Sequence, residues 1–155
     1  MAPVIGNSAS YREATAADMA GISHVRLAVV ENALTAEQLA ERGITNESVA
    51  ASFLTSSMGF VAELDGQIVG FSIADRETRS IFALFVLPGY DGRGIGGRLH
   101  DLALRWLWAQ GAERAWLTTG RNTRAAGFYE RRGWIATGSG PRGDVRYEYV
   151  CLVKR

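Results

Sequence analysis

Cysteine is nearly absent: Cys151 is the only one in 155 residues. No disulfide can form within the chain, so packing must hold the fold without covalent help. Lying in the apolar run Val150-Cys151-Leu152-Val153, the thiol reads as a small core residue, not a nucleophile. Proline is scarce as well, with 3 residues. No Pro/Gly-rich linker, internal repeat or low-complexity tract breaks the sequence, which points to one domain over residues 1–155. A domain of this length buries roughly 70% of the surface its unfolded chain exposes. No run reaches the ~18 apolar residues of a membrane span. The first ten residues lack the basic start and apolar stretch of a signal peptide. These absences lead us to expect a cytoplasmic protein with no membrane partner. No His, Cys or Asp cluster has metal-ligand spacing, so no metal is implied. A net charge of +1 argues against a dedicated nucleic-acid binder.

What is present is ordinary in bulk and uneven in detail. Hydrophobic residues at 47% and charged residues at 21% mark a globular chain, neither disordered nor fibrous. Residues 1–90 carry 5 basic and 10 acidic side chains, whereas residues 91–155 carry 12 basic and 6 acidic. The basic half suits an anionic ligand, and the acidic half hints at a cationic amine.

The hydrophobic period changes along the chain. Tyr11 to Ala14 reads as a first strand. Thr15 and Asp18 offer N-caps to a helix running to about Ala33, with Met19, Ile22, Val25 and Val29 at helical spacing. Thr35 caps a short helix, Ala36 to Glu41, and Thr45-Asn46-Glu47-Ser48 is a candidate capping box for another. From Gly59 the period becomes strand-like. Phe60 to Leu64 and Gln67 to Ala74 flank Asp65-Gly66, a strong hairpin signal. Arg79 to Leu87 is almost continuously apolar, the mark of a strand buried on both faces, and Pro88 stops it. A helix follows to about Gln110, with Ile95, Leu99, Leu102, Ala103, Trp106 and Leu107 on one stripe. Arg114 to Thr119 is a strand, Thr123 to Arg132 a helix, and Trp134 to Thr137 and Arg146 to Val153 are late strands. This order predicts an α/β layered domain with a mixed sheet.

Between the apolar strand and the long helix lies Pro88-Gly89-Tyr90-Asp91-Gly92-Arg93-Gly94-Ile95-Gly96-Gly97-Arg98. Glycine permits positive φ and close approach of a ligand to the backbone. The N–H groups opening a helix have no intrahelical partner and the helix dipole favours anions there. Arg93 and Arg98 add charge, so a pyrophosphate is the natural guest. Gly92-x-Gly94-x-x-Gly97 formally fits a dinucleotide fingerprint. That reading also needs an early βαβ unit and an acid about 20 positions on, and neither is present. A P-loop would end in Gly-Lys-Ser/Thr, which is absent.

About 30 residues later comes Asn122-Thr123-Arg124-Ala125-Ala126-Gly127-Phe128-Tyr129-Glu130-Arg131-Arg132-Gly133-Trp134. Together the two segments resemble the GNAT superfamily of acetyl-CoA-dependent N-acetyltransferases, from about Tyr11 to Val153. That family's loop runs Gln/Arg-x-x-Gly-x-Gly/Ala, met here by Asp91-Gly92-Arg93-Gly94-Ile95-Gly96. Its next helix often carries Asn-x-x-Ala-x-x-Phe/Leu-Tyr-x-x-x-Gly-Phe/Trp. Asn122, Ala125, Phe128, Tyr129, Gly133 and Trp134 fill those positions. Asp91 departs from the pattern. An acid beside a pyrophosphate is unfavourable, so it should face solvent or pair with Arg93.

The resemblance implies a GNAT-like layered fold, α/β, with a mixed, mostly antiparallel central sheet flanked by helices. Acetyl-CoA as co-substrate would lie where the strands Arg79–Leu87 and Arg114–Thr119 splay apart. Main-chain groups of Leu84, Phe85 and Val86 would pair with the pantetheine amides. Gly92, Arg93, Gly94, Ile95, Gly96, Gly97 and Arg98 would hold the pyrophosphate, and Asn122 would touch the pantetheine arm. Tyr129 would be the acid that protonates the leaving thiolate. An alkyl amine with pKa near ~10 is neutral only about one part in 10³ at pH 7, so a base must act too. Glu63, Asp75, Glu77 and His24 are weak candidates. Arg124, Arg131 and Arg132 are further candidates for the cofactor. The implied function is acetyl transfer to a small-molecule or peptide amine by direct attack in a ternary complex. Two alternatives stand beside it: an acyl-CoA sensor without turnover, and an acyltransferase using another acyl group or a hydroxyl acceptor. Homodimers are common in the family, and the sequence leaves the oligomeric state open.

Overall fold

Three threonines, Thr15, Thr35 and Thr45, start helical segments after the N-terminal strand in the expected way. The computed structural model describes residues 8–151. Strand β1 (Ser10–Glu13) leads through a 3-10 turn at Ala16–Asp18, capped by Thr15, into helix α1 (Met19–Ala28). Thr35 caps α2 (Ala36–Glu41) through a reciprocal box with Gln38, whose Oε1 accepts from the Thr35 N–H at 2.8 Å. Thr45 and Ser48 form the same box at the start of α3 (Asn46–Ser52). Helix α1 ends at Ala28, well short of the expected Ala33. Val29 is extended, and Asn32 sits at φ 59° with its side chain bonded to Thr119 and Gly120. A tertiary contact therefore outweighs helical spacing here.

Strands β2 (Ser57–Leu64) and β3 (Gln67–Asp75) meet at Asp65-Gly66, both at positive φ, as a tight hairpin of this twist requires. Next come β4 (Ser80–Val86), α4 (Ile95–Ala109), β5 (Arg114–Thr119), α5 (Arg124–Arg131), β6 (Ile135–Ser139) and β7 (Val145–Val150). The end of the last expected strand, at Leu152 and Val153, lies outside the described residues. Cys151 is half-buried at that edge and not a core residue; its N–H donates to the Glu113 carbonyl.

All seven strands form one sheet in the order β1-β2-β3-β4-β5-β7-β6. Every neighbouring pair is antiparallel except β4 and β5. Alternate residues of β3 point to opposite faces. Gly70 and Ser72 face α4: a Cβ on Gly70 would stand 3.0 Å from Leu99, and the Ser72 hydroxyl donates to the Leu99 carbonyl at 3.1 Å. Phe71 and its partner across the ladder, Phe85, stack on the other face at 5.8 Å, where α1 lies.

The core has two parts. One gathers Val25, Val61, Val69, Phe71, Ile73 and Leu99 beneath β1–β4. The other gathers Ile81, Leu117, Tyr129, Trp134 and Tyr147 around β4, β5 and β7. Helix α4 serves both, with Ile95 and Leu99 in the first and Ala103, Leu104 and Leu107 in the second.

Candidate cofactor cleft

Strands β4 and β5 share a single register pair, Ser80↔Trp116. The Trp116 N–H donates to the Arg79 carbonyl at 3.1 Å, and no further register pair joins the two strands among the described residues. The strands part, and the side of β4 facing β5 keeps unpaired main-chain groups at the centre of the sheet. This corrects the expectation of a strand buried on both faces. Phe82 is 50% exposed, and Ala83, Leu84, Phe85 and Val86 are only half-buried. The apolar run borders an open gap as well as a core.

At the end of β4 the chain enters the glycine loop. Gly89, Gly92 and Gly94 hold φ of 95°, 75° and 79°. Gly94 is the residue before α4, and no side chain caps that end. The first intrahelical bond there runs from the Arg98 N–H to the Gly94 carbonyl at 3.1 Å. The N–H groups of Ile95, Gly96 and Gly97 therefore lack helical partners. Nothing lies within 4 Å of a Cβ placed on Gly92 or Gly94, so the space beside them is open. At Gly97 a Cβ would collide with the Arg132 guanidinium.

The loop's charged side chains do not all converge. Arg93 covers Tyr90, with Cζ 5.0 Å from the ring centroid. Arg98 reaches the opposite way, over Tyr11 of β1, three strands from β4. Asp91 is exposed, the first of its two expected placements, and does not pair with Arg93. Its carboxylate stands 3.6 Å from Arg124 at the start of α5, tying the loop to the neighbouring helix. The physical reason is reach: the Arg93 head is drawn onto the Tyr90 ring, whereas Arg124 is held near Asp91 by the turn before α5.

That turn is well specified. Asn122 adopts φ 57°, a left-handed conformation that asparagine tolerates better than most residues. Thr123 caps α5 through Ala126 at 3.1 Å. The Glu31 carboxylate accepts from the Arg124 N–H at 2.9 Å, and the Asn32 side chain binds Thr119 and Gly120. The segment after α1 is thus fastened to the far wall of the gap.

Tyr129 is 6% exposed and stands among rings: Phe128 at 5.3 Å, Trp134 at 5.7 Å, and His100 and Tyr147 at 6.3 Å. Burial pushes its pKa far above the ordinary phenol value, so the group stays protonated and can donate. The buried cluster it belongs to includes Ile81 of β4 and both Ala115 and Leu117 of β5, so it draws on the two parting strands.

Sequence reading passed over His100. It is 2% exposed on α4, and its Nε2 accepts from the Trp134 indole at 2.9 Å. Its Nδ1 therefore carries the proton and donates to Asp101 at 2.9 Å. Asp101 also pairs with Arg132 at 3.1 Å. Burial, first of all, lowers the imidazole pKa and keeps the ring neutral. The available signal was a histidine on the apolar stripe of α4, between Gly96 and Ala103. Nearby, the Tyr147 hydroxyl donates to Glu130 at 2.6 Å, and burial with that bond pushes its pKa up to about 12.

The candidate bases are scattered. Glu63 is bound to Arg12 at 2.7 Å. Asp75 accepts from the N–H groups of Glu77 and Thr78 and from the Ser56 hydroxyl, so it braces the β3–β4 turn. His24 and Glu77 are exposed. Among the described residues no group of three or more His, Cys, Asp or Glu is placed to hold a metal ion. No described helix is long and apolar enough to cross a membrane.

Comparison with known proteins gives this geometry a context. Residues 37–134 match the acetyltransferase (GNAT) family. An uncharacterised N-acetyltransferase of Archaeoglobus fulgidus is 39% identical over 94 residues, covering 54% of this chain and 64% of that protein. A mycothiol acetyltransferase of Streptomyces avermitilis is 38% identical over 80 residues, covering 48% of this chain and 26% of that protein. The chain thus spans less than two thirds of the length of these curated relatives. In structure it resembles the PaiA N-acetyltransferase of Thermoplasma acidophilum in complex with coenzyme A, with a TM-score of 0.74 at 16% identity over 93% of this chain and 99% of that one. It also resembles YncA of Salmonella typhimurium with acetyl-CoA, with a TM-score of 0.74 at 17% identity over 96% of each chain. At these identities the likeness is one of fold.

Proposed function

We propose that this chain, which belongs to the acetyltransferase (GNAT) family, moves an acetyl group from acetyl-CoA to an amine by direct attack in a ternary complex. The observation that carries this reading is the single rung between β4 and β5 beside an open glycine loop. Pantetheine carries amides, and the gap offers them strand-like partners in the main-chain groups of Leu84 and Val86; those of Phe85 face Phe71 of β3 instead. The pyrophosphate suits the free N–H groups from Gly92 to Gly97, with Arg93 and Arg124 close enough to add charge. Arg98 contributes through helix geometry, because its side chain lies over Tyr11. Asn122 is exposed at the mouth, where its amide can meet the cofactor arm.

In the reaction the amine lone pair attacks the thioester carbon. The tetrahedral intermediate collapses, the C–S bond breaks and the sulfur leaves with the electron pair. Tyr129, held neutral by burial, donates its proton to that sulfur. The amine proton leaves through water, and the phenol regains a proton from the same pool. The products are the amide and the free thiol, with no net change in protons when the attacking amine is neutral.

Release of free thiol from acetyl-CoA across a panel of amines tests the activity. Tight CoA binding with no amine-dependent release would favour the sensor reading. Tyr129→Phe is expected to lower kcat by about 10²-fold or more, the range for a lost general acid, while leaving CoA affinity unchanged. An unchanged kcat removes Tyr129 from the chemistry.

A further inference from the structure

The segment between α1 and α2 crosses the gap without taking part in the proposed chemistry. At its near end, Arg26 on α1 lies over the Phe85 ring of β4, with Cζ 4.2 Å from the centroid. Helix α1 packs on β3 and β4, and the chain then becomes extended at Val29. Farther on, the Asn32 side chain is fastened to the end of β5. Its Oδ1 accepts from the Gly120 N–H at 3.0 Å, and its Nδ2 donates to the Thr119 hydroxyl at 3.2 Å. The Glu31 carboxylate accepts from the Arg124 N–H at 2.9 Å, where α5 begins. The two anchors therefore stand on opposite walls of the gap, β4 on one side and β5 with α5 on the other. Between them Val30 is 84% exposed, so the crossing is held by its ends and not by packing.

The far anchor is closely fitted. Asn32 sits at φ 59°, a left-handed conformation that asparagine tolerates and most side chains disfavour. Gly120 does not need positive φ, yet a Cβ there would stand 2.7 Å from the Asn32 Oδ1 and 3.2 Å from the Thr123 Cγ2. Glycine at this position admits the Asn32 amide, and a larger residue would push it away. The place of the contact matters as well. Strands β4 and β5 share their one register pair at Ser80↔Trp116, at the start of β4. Thr119 and Gly120 lie at the other, open end of β5, where no ladder to β4 fixes its position. There the segment after α1 supplies the tie. Arg124 also pairs with Asp91 of the glycine loop, so the start of α5 is held from two directions.

We propose that Asn32 is a positioning residue for the cofactor: by tying the end of β5 to the segment that leaves α1, it holds the gap at the width a pantetheine arm fills and closes the α1 face over that arm. This rests on the acetyl-transfer reading above for the identity of the occupant. Asn32 itself touches no reacting atom. An arm enclosed in this way leaves only when the tie opens, so the tie governs how long the cofactor stays bound. Loss of two neutral hydrogen bonds changes such an opening equilibrium by roughly tenfold.

Dissociation of a fluorescent CoA derivative, chased by excess CoA in a stopped-flow instrument, tests this. Asn32→Gly keeps the left-handed turn and loses both side-chain bonds. It is expected to raise the dissociation rate by roughly tenfold, and KM for acetyl-CoA with it, while kcat at saturation stays nearly unchanged. Gly120→Ala, whose Cβ displaces the Asn32 amide, should do the same and serves should Asn32→Gly fold poorly. Asn32→Asp should recover most of the residence time, because a carboxylate can accept from both the Gly120 N–H and the Thr119 hydroxyl. Hydrogen exchange at the Gly120 amide in Asn32→Gly shows the tie loosened. A purely structural role would instead lower the unfolding midpoint without CoA and leave the dissociation rate of the folded protein unmoved. An unchanged dissociation rate in Asn32→Gly and Gly120→Ala overturns the proposal, as does an Asn32→Asp variant that releases CoA as fast as Asn32→Gly. Wild-type protein that binds no CoA ends the cofactor reading and this proposal with it. Wild-type protein that binds CoA, beside variants that release it no faster, leaves that reading standing and removes only the tie.

Discussion

Strands β1–β4 rest on an aliphatic core, Val25, Val61, Val69, Ile73 and Leu99, whereas β5 and β7 rest on rings, Tyr129, Trp134 and Tyr147. The difference goes beyond composition. The aliphatic side is held by shape and has few polar atoms to satisfy. The aromatic side carries polar handles, three of them with partners: Trp134 donates to His100, His100 to Asp101, and Tyr147 to Glu130. Shape alone tolerates repacking of similar volumes. Hydrogen-bonded rings fix orientation, and three of them, His100, Trp134 and Tyr147, surround Tyr129, the proposed proton donor. One wall of the gap is thus a packed support and the other an oriented one.

Removing a ring is the largest blow to that contrast. Trp134→Ala should cost about 3–5 kcal/mol of stability, as a large buried ring lost to a cavity does. Hydrogen exchange tests whether the walls act separately. Amides of β5 and β7 should exchange much faster while those of β2 and β3 keep most of their protection. Uniform acceleration would show the two cores to be one cooperative unit.

Gly94→Val acts at the junction instead of within a wall. With Gly94 at φ 79°, a side chain there costs roughly 1–2 kcal/mol in backbone strain, although nothing lies within 4 Å of it. Thermal unfolding should shift modestly and CoA binding should weaken sharply, as the amides turn away. Gly96→Ala, in a helical conformation with its nearest contact at 3.7 Å, serves as the control and should do little. Equal effects on CoA affinity would argue against the loop geometry as the source of binding.

The smallest effect sharpens the comparison through pH. His100 has a folded-state pKa below its ordinary 6.5. The unfolded chain therefore binds the proton first, and stability is full above pH 6.5 and falls as pH drops below it. His100→Gln, which keeps an acceptor for Trp134, should flatten this fall in urea titrations between about pH 6.5 and 5. A slope identical to that of the wild type would place the acid sensitivity elsewhere.

Most of the fold was legible because the signals are local. Asp65-Gly66 marked the hairpin, Thr35 and Thr45 marked helix starts, and β5 was expected over the residues it occupies. The motif from Asn122 to Trp134 was legible because its members do structural work: a left-handed turn at Asn122, another at Gly133, and a buried, bonded indole at Trp134. What escaped depends on distant partners. The end of α1 is set by Asn32 meeting Gly120, 88 residues away. His100 answers Trp134, 34 residues away. Counting charge by segment also leaves out how each acid is used. The acidic excess of residues 1–90 hinted at a cationic acceptor, yet Asp18 and Glu63 are taken by Arg12, Glu31 by the start of α5 and Asp75 by a turn.

The lone rung between β4 and β5 has a consequence for how long the protein survives. A molecule that slots between those strands binds the folded chain and not the unfolded one, so it acts as a removable strand. Once it exceeds its dissociation constant, each tenfold rise in its concentration adds about 1.4 kcal/mol to stability. For such a complex, resistance to proteolysis would follow the supply of that molecule.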